Sequence, residues 1–206
     1  MLHYHTIAPA TLELLKKIQK EPLFNQLRLV GGTALALQIG HRTSVDLDFF
    51  GNLEIDQFEI LSCLNSLGLV KTLQTTNNIH IFSIDGIKVD FVNYQYPWLE
   101  NAVITDDVLM AGRLDIAAMK LSAITGRGSK KDFIDIFFLL QEFTLKELIA
   151  CYEKKYHDGS AFLVLRSLSY FDDADEEPEY NLFSKVTWKQ IKSELLKKLL
   201  AFEKES

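Results

Sequence analysis

Cysteine is nearly absent from this chain: Cys63 and Cys151 are the only two in 206 residues. They stand far apart, with neither a Cys-x-x-Cys pair nor a Cys/His ligand spacing, which predicts two reduced core thiols in a cytosolic protein. Long apolar runs are missing too. None reaches the length needed to cross a bilayer, and "MLHYHTIAPATLELLKK" has no basic segment leading into an apolar one, so neither a membrane span nor a secretory leader is expected. The histidines form no metal motif, and "HYH" at positions 3 to 5 reads as a solvated terminus. Basic charge is also short. A formal net charge of −6 excludes a chain that coats nucleic acid by charge alone. The imbalance is local, because "DDADEEPE" at 172–179 carries six acidic residues and no base, as a solvated loop between helices would. Outside that run acids and bases balance, which leaves room for a local basic groove.

Internal repeats, low-complexity tracts and long linkers are absent as well. What remains is an ordinary globular composition, 48% hydrophobic, with enough apolar material for one large domain or a core with a smaller appendage. "PATLELLKKIQKEP" has helical spacing at Leu12, Leu15 and Ile18 and closes at Pro22. "NQLRLV" reads as a strand ending at Gly31 and Gly32, and "TALALQIG" as a two-turn helix from Thr33 to Gly40. "VDLDFF" is a strand, and "EIDQFEILSCLNSLG" a helix. Residues 69 to 93 read as an antiparallel meander, with turns at Asn77-Asn78 and Asp85-Gly86. From about residue 107 every segment is helical. The expected division is a mixed α/β part over 1–107 and a helical part over 108–206.

Side chains alternate across a strand, so Asp46 and Asp48 share one face while Val45, Leu47 and Phe49 take the other. In "IKVDFVN" the same alternation isolates Asp90 from Ile87, Val89 and Phe91. Such a pattern fits solvent-facing residues of half-exposed strands. It equally fits three carboxylates gathered on one side of a sheet, where their repulsion calls for a divalent cation; Mg²⁺ suits hard oxygen donors and is commonly completed by phosphates. The neighbouring glycines favour the second reading. A strand running through Gly31 and Gly32 into a helix presents free backbone N–H groups where an anion can approach closely.

"GGTALALQIGHRTSVDLDFF", with "KVDFV" downstream, resembles the nucleotidyltransferase superfamily, whose pattern is a glycine pair, a short helix, Asp-x-Asp and a third Asp. Together with "DIAAMKLSAITGRGSKKDFIDIFFLL" it resembles the AbiEii/AbiGii-type nucleotidyltransferase toxins of toxin–antitoxin and phage abortive-infection systems. The resemblance covers residues 27 to 140. It implies an α+β fold, a mixed sheet flanked by helices and followed by a C-terminal helical region that completes the active site.

Several residue roles are implied with it. Asp46, Asp48 and Asp90 would be the metal ligands for two Mg²⁺ ions. Gly31, Gly32 and Thr33 would hold the phosphates of a nucleoside triphosphate (NTP) donor. Lys120, a lone charge in an apolar helix, reads by itself as a snorkelling side chain; the resemblance implies that it holds nucleotide phosphates. Asp132 and Asp135 share a helical face. Asp132 fits a helix N-terminal residue and Asp135 an ion pair with Arg127 or Lys131, while the resemblance implies that one of the two aspartates is catalytic; Asp132 is the candidate. Arg42 fits either a phosphate contact or a brace for Asp46 or Asp48, and His41 and Ser44 read as structural. The implied acceptor is RNA, foremost the 3′ end of tRNA, with a cognate antitoxin as partner. Arg113, Arg127, Lys130 and Lys131 are the basic residues available for an RNA-facing rim. Transfer to a protein or small molecule, and nucleotide binding without turnover, stay open as alternatives.

Overall fold

The computed structural model describes residues 1–53 and 56–205. The chain forms two compact units, Met1–Tyr96 with Asn101–Ala111, and Pro97–Glu100 with Gly112–Ser206.

The first unit is built on a seven-stranded mixed sheet. Its strands are β1 (Arg28–Val30), β2 (Leu47–Gly51), β3 (Val70–Thr75), β4 (Ile79–Ile84), β5 (Ile87–Asn93), β6 (Val103–Thr105) and β7 (Val108–Met110), in the spatial order β3-β4-β5-β2-β1-β7-β6. The meander expected over 69–93 is present as β3-β4-β5, each pair antiparallel. Its second turn carries positive φ at Asp85 (49°) and Gly86 (84°), as a tight two-residue hairpin requires. β2 runs parallel to β5 and antiparallel to β1. The β6–β7 hairpin was not legible in the sequence; it turns through Asp106 and Asp107, and β7 joins the sheet parallel to β1.

Three helices belong to this unit: α1 (Pro9–Lys20), α2 (Gly31–Ile39) and α3 (Gln57–Asn65). α1 opens with proline at its first position and buries Thr11, Leu14, Leu15 and Ile18. α2 begins two residues earlier than Thr33, so the glycine pair forms its first turn, and it stops at Gly40 in the left-handed conformation. α3 is capped by Asp56, whose carboxylate accepts from Phe58 N at 2.7 Å. Residues 54 and 55 of the helix expected there lie outside the described residues. The core face of the sheet is aromatic: Phe91 stacks on Phe24 at 4.6 Å and on Phe49 at 5.5 Å between centroids.

The second unit is helical, with α4 (Arg113–Gly126), α5 (Lys130–Leu139), α6 (Leu145–Lys155), α7 (Ala161–Ser167), α8 (Asp172–Asp175) and α9 (Trp188–Glu205). α4 packs against α5, α6 and α7, and so buries residues around much of its circumference. A reciprocal capping box, Thr144 with Glu147, starts α6. Among the described residues no helix is long and apolar enough to cross a membrane.

Candidate active site

In the first unit, burial of Leu47 and Phe49 on β2 and of Val89 and Phe91 on β5 turns the intervening residues to the other face. Parallel pairing sets Asp48 level with Asp90. Asp46 stands one residue before β2 and two before Asp48, half-buried like the other two carboxylates. Val45, expected on the apolar face, is exposed, because the paired strand starts only at Leu47.

The glycine pair is packed against this cluster. Gly31 has φ +68°, and a Cβ there would lie 2.5 Å from Asp48 Oδ2. A Cβ on Gly32 would collide with Arg42 Nη2. Arg42 is buried and donates through Nη1 to the Thr43 carbonyl at 2.9 Å. Thr33, also buried, donates its hydroxyl to the Asp46 carbonyl, and its oxygen lies 2.8 Å from Ser44 Oγ. Arg42, Thr33 and Ser44 therefore fasten the turn between α2 and β2 that carries Asp46.

Asp90 has its own cation. Lys88, two residues earlier on the same strand and so on the same face, donates through Nζ to both carboxylate oxygens at 2.6 Å.

The second unit gathers a buried charge network between α4 and α5. Lys120 Nζ lies 2.9 Å from Asp132 Oδ1 and 2.6 Å from Asp135 Oδ2, with both aspartate side chains fully buried. Arg127 Nε donates to Asp132 Oδ2 at 2.9 Å and Nη2 to Oδ1 at 3.2 Å; Ser129 Oγ adds a third donor at 2.6 Å. Burial pushes the Asp132 carboxyl up, but the Lys120 charge and the Arg127 hydrogen bonds outweigh it and hold it at about 2. Spacing could not separate Asp132 from Asp135; in the fold both close on Lys120, and Arg127 engages Asp132.

Over residues 13–204 the chain matches the family described as nucleotidyl transferase AbiEii toxin, type IV toxin–antitoxin system. The chain belongs to the AbiEii family. An uncharacterized protein of Aquifex aeolicus is 43% identical over 171 residues, covering 80% of this chain and 83% of that one. JHP933 from Helicobacter pylori superposes with a TM-score of 0.58 at 17% identity, covering 97% of this chain and 94% of that one. MenT4, a nucleotidyltransferase toxin from Mycobacterium tuberculosis, gives 0.59 at 15% identity over 91% and 80%. These structural likenesses establish a common fold. Family membership makes the chain a nucleotidyltransferase of toxin type.

For an AbiEii chain the donor set is chemically apt. Three carboxylates are hard oxygen ligands of the kind Mg²⁺ takes. Among the described residues no three His, Cys, Asp or Glu side chains are already gathered for a metal ion, and Asp90 is held by Lys88.

Reading the AbiEii sequence missed Lys88, although its i−2 spacing from Asp90 was the available signal. It also missed a fully buried pair in the second unit: Asp115 and Lys155 meet at 2.6 Å. Asp115 further accepts from Leu99 N and Glu100 N, and Lys155 donates to the Pro97 carbonyl, tying residues 97–100 to α4 and α6. No local pattern announces that pair. The basic rim needs correction at Lys130, which is buried against Trp188 and donates to the Glu177 carbonyl and to Glu179. The acidic run is thereby anchored at Glu177 and Glu179, and again at Asp175, which accepts from Lys192 and Trp188; its first four residues are the helix α8.

Proposed function

We propose that the chain moves a nucleoside monophosphate from an NTP to an acceptor hydroxyl in a Mg²⁺-dependent reaction, with the 3′ end of tRNA as acceptor. In this reading it is the toxin of a pair whose antitoxin restrains it. The observation that carries the proposal is the register of Asp48 with Asp90, with Asp46 beside them and the glycine pair packed against Asp48.

Asp46, Asp48 and Asp90 would hold the divalent cations, which would supply charge stabilisation for the attacking and leaving oxygens. The protein's part is positioning. The first turn of α2, whose backbone N–H groups have no acceptor within the helix, receives donor phosphates beside Gly31 and Gly32. Thr33 and Arg42 keep the Asp46 turn in place, which makes them positioning residues. Within the second unit, Lys120 is the residue proposed to bind phosphate, and Asp132 orients it. The Arg127 guanidinium, 59% exposed, is the part of that network offered to solvent and so to an RNA phosphate.

A transfer assay tests this. The protein is incubated with Mg²⁺, total tRNA and each α-³²P-labelled NTP, beside an Asp46→Ala, Asp48→Ala double variant. Label on tRNA with wild type alone is expected, and it identifies the donor base as well. Label on protein instead keeps the transferase and overturns the acceptor; bound nucleotide without transfer overturns the catalytic reading.

A further inference from the structure

We propose that Lys88 is a tethered counter-cation of the metal site, holding Asp90 until a divalent cation replaces it. The inference rests on the metal-site reading above and adds a step to it: loading requires an exchange at Asp90.

The geometry is specific. Lys88 Nζ is equidistant from both Asp90 oxygens at 2.6 Å, so the whole carboxylate is engaged. The neighbouring strand β4 offers Asp90 only Ile81 and offers Lys88 only Ser83 as register partners. On the other side Asp48 is level with Asp90 in the parallel register of β2 and β5. The ammonium therefore offsets the charge of Asp90 on the face where Asp48 stands level with it. A lysine suits the task because its charge sits on a long flexible stem that can swing away from the carboxylate.

Exposure decides that the pair is exchangeable. The Lys88 side chain is 42% exposed and that of Asp90 17%. Ion pairs this open to water contribute little, so a divalent cation with several carboxylate ligands displaces the ammonium. Lys120 is different: it is locked between two fully buried aspartates. Once displaced, Lys88 stays on its strand as an unpaired cation beside an anionic nucleotide. The same side chain thus opposes the metal and favours the nucleotide.

Those opposite effects supply the test. Mn²⁺ affinity is titrated by electron paramagnetic resonance without nucleotide. Binding of a non-hydrolysable α,β-methylene analogue of the donor NTP is measured by calorimetry at saturating Mg²⁺. Wild type is compared with Lys88→Met, Lys88→Arg and Asp48→Asn, after circular dichroism confirms that each is folded. Lys88→Met is expected to bind Mn²⁺ roughly 3- to 10-fold more tightly and the analogue more weakly by a similar factor, with Lys88→Arg close to wild type. Unchanged Mn²⁺ affinity in Lys88→Met, or a fall in both affinities together, overturns the exchange. If wild type binds Mn²⁺ no better than Asp48→Asn, the metal-site reading fails along with it.

Discussion

A methyl group at position 31 has nowhere to go. Gly31 sits at φ +68°, and its Cβ would press on Asp48 Oδ2. Gly31→Ala should cost roughly 1–3 kcal/mol in denaturant titrations, and it should abolish transfer as well, because the displaced group is a proposed metal ligand. Asp48→Asn should separate the two effects. The near-isosteric amide should leave the fold intact by circular dichroism while transfer disappears; retained turnover would sink the assignment. The sequence showed that Gly31 and Gly32 matter but suggested an open cradle for phosphate. The fold shows that carboxylate and guanidinium also claim that space. The reason is distance along the chain: Arg42 and Asp48 return over the glycines only after α2 has turned the backbone around.

At the scale of elements, α4 is the organiser of the helical unit, and it carries two buried ion pairs of different design. Lys120 answers two aspartates of α5. Lys120→Met leaves both carboxylates buried without it, a loss of about 3–5 kcal/mol at neutral pH. Denaturant unfolding curves of Lys120→Met and wild type at pH 7 would reveal the loss. Asp115 answers Lys155 of α6 and also two backbone N–H groups. Lys155→Met alone strands a buried charge. Adding Asp115→Leu should recover part of the stability but not all, because Leu99 N and Glu100 N lose their acceptor. Helices α4, α5 and α6 were legible as helices, and Asp132 and Asp135 as sharing a face. Their partners were not, since periodicity describes one element at a time. The same limit hid the β6–β7 hairpin, whose short strands acquire meaning only when β7 pairs with β1.

For the whole molecule, acid is the informative perturbation. Asp132 ionises at about 2 in the folded chain against an ordinary value near 4, so its contribution is complete above pH 4 and is lost as pH falls from 4 toward 2. The difference corresponds to about 2 kcal/mol. Between pH 5 and pH 2, Asp132→Asn should lose less stability than wild type by about that amount; parallel pH profiles would remove Asp132 from the acid transition. Local alternation and spacing in the sequence determined which residues are chemically committed. Leu47 and Phe49 must be buried together, as must Val89 and Phe91, and that forces Asp48 and Asp90 onto the opposite face whatever the neighbours are. Tertiary structure alone decided the distant partners: Lys120 for both α5 aspartates, and Trp188 with the acidic run for Lys130. A repeating pattern specifies the face a side chain takes, because that follows from backbone geometry over a few residues. The charge that meets it there depends on how segments distant in sequence pack, and no local pattern encodes that.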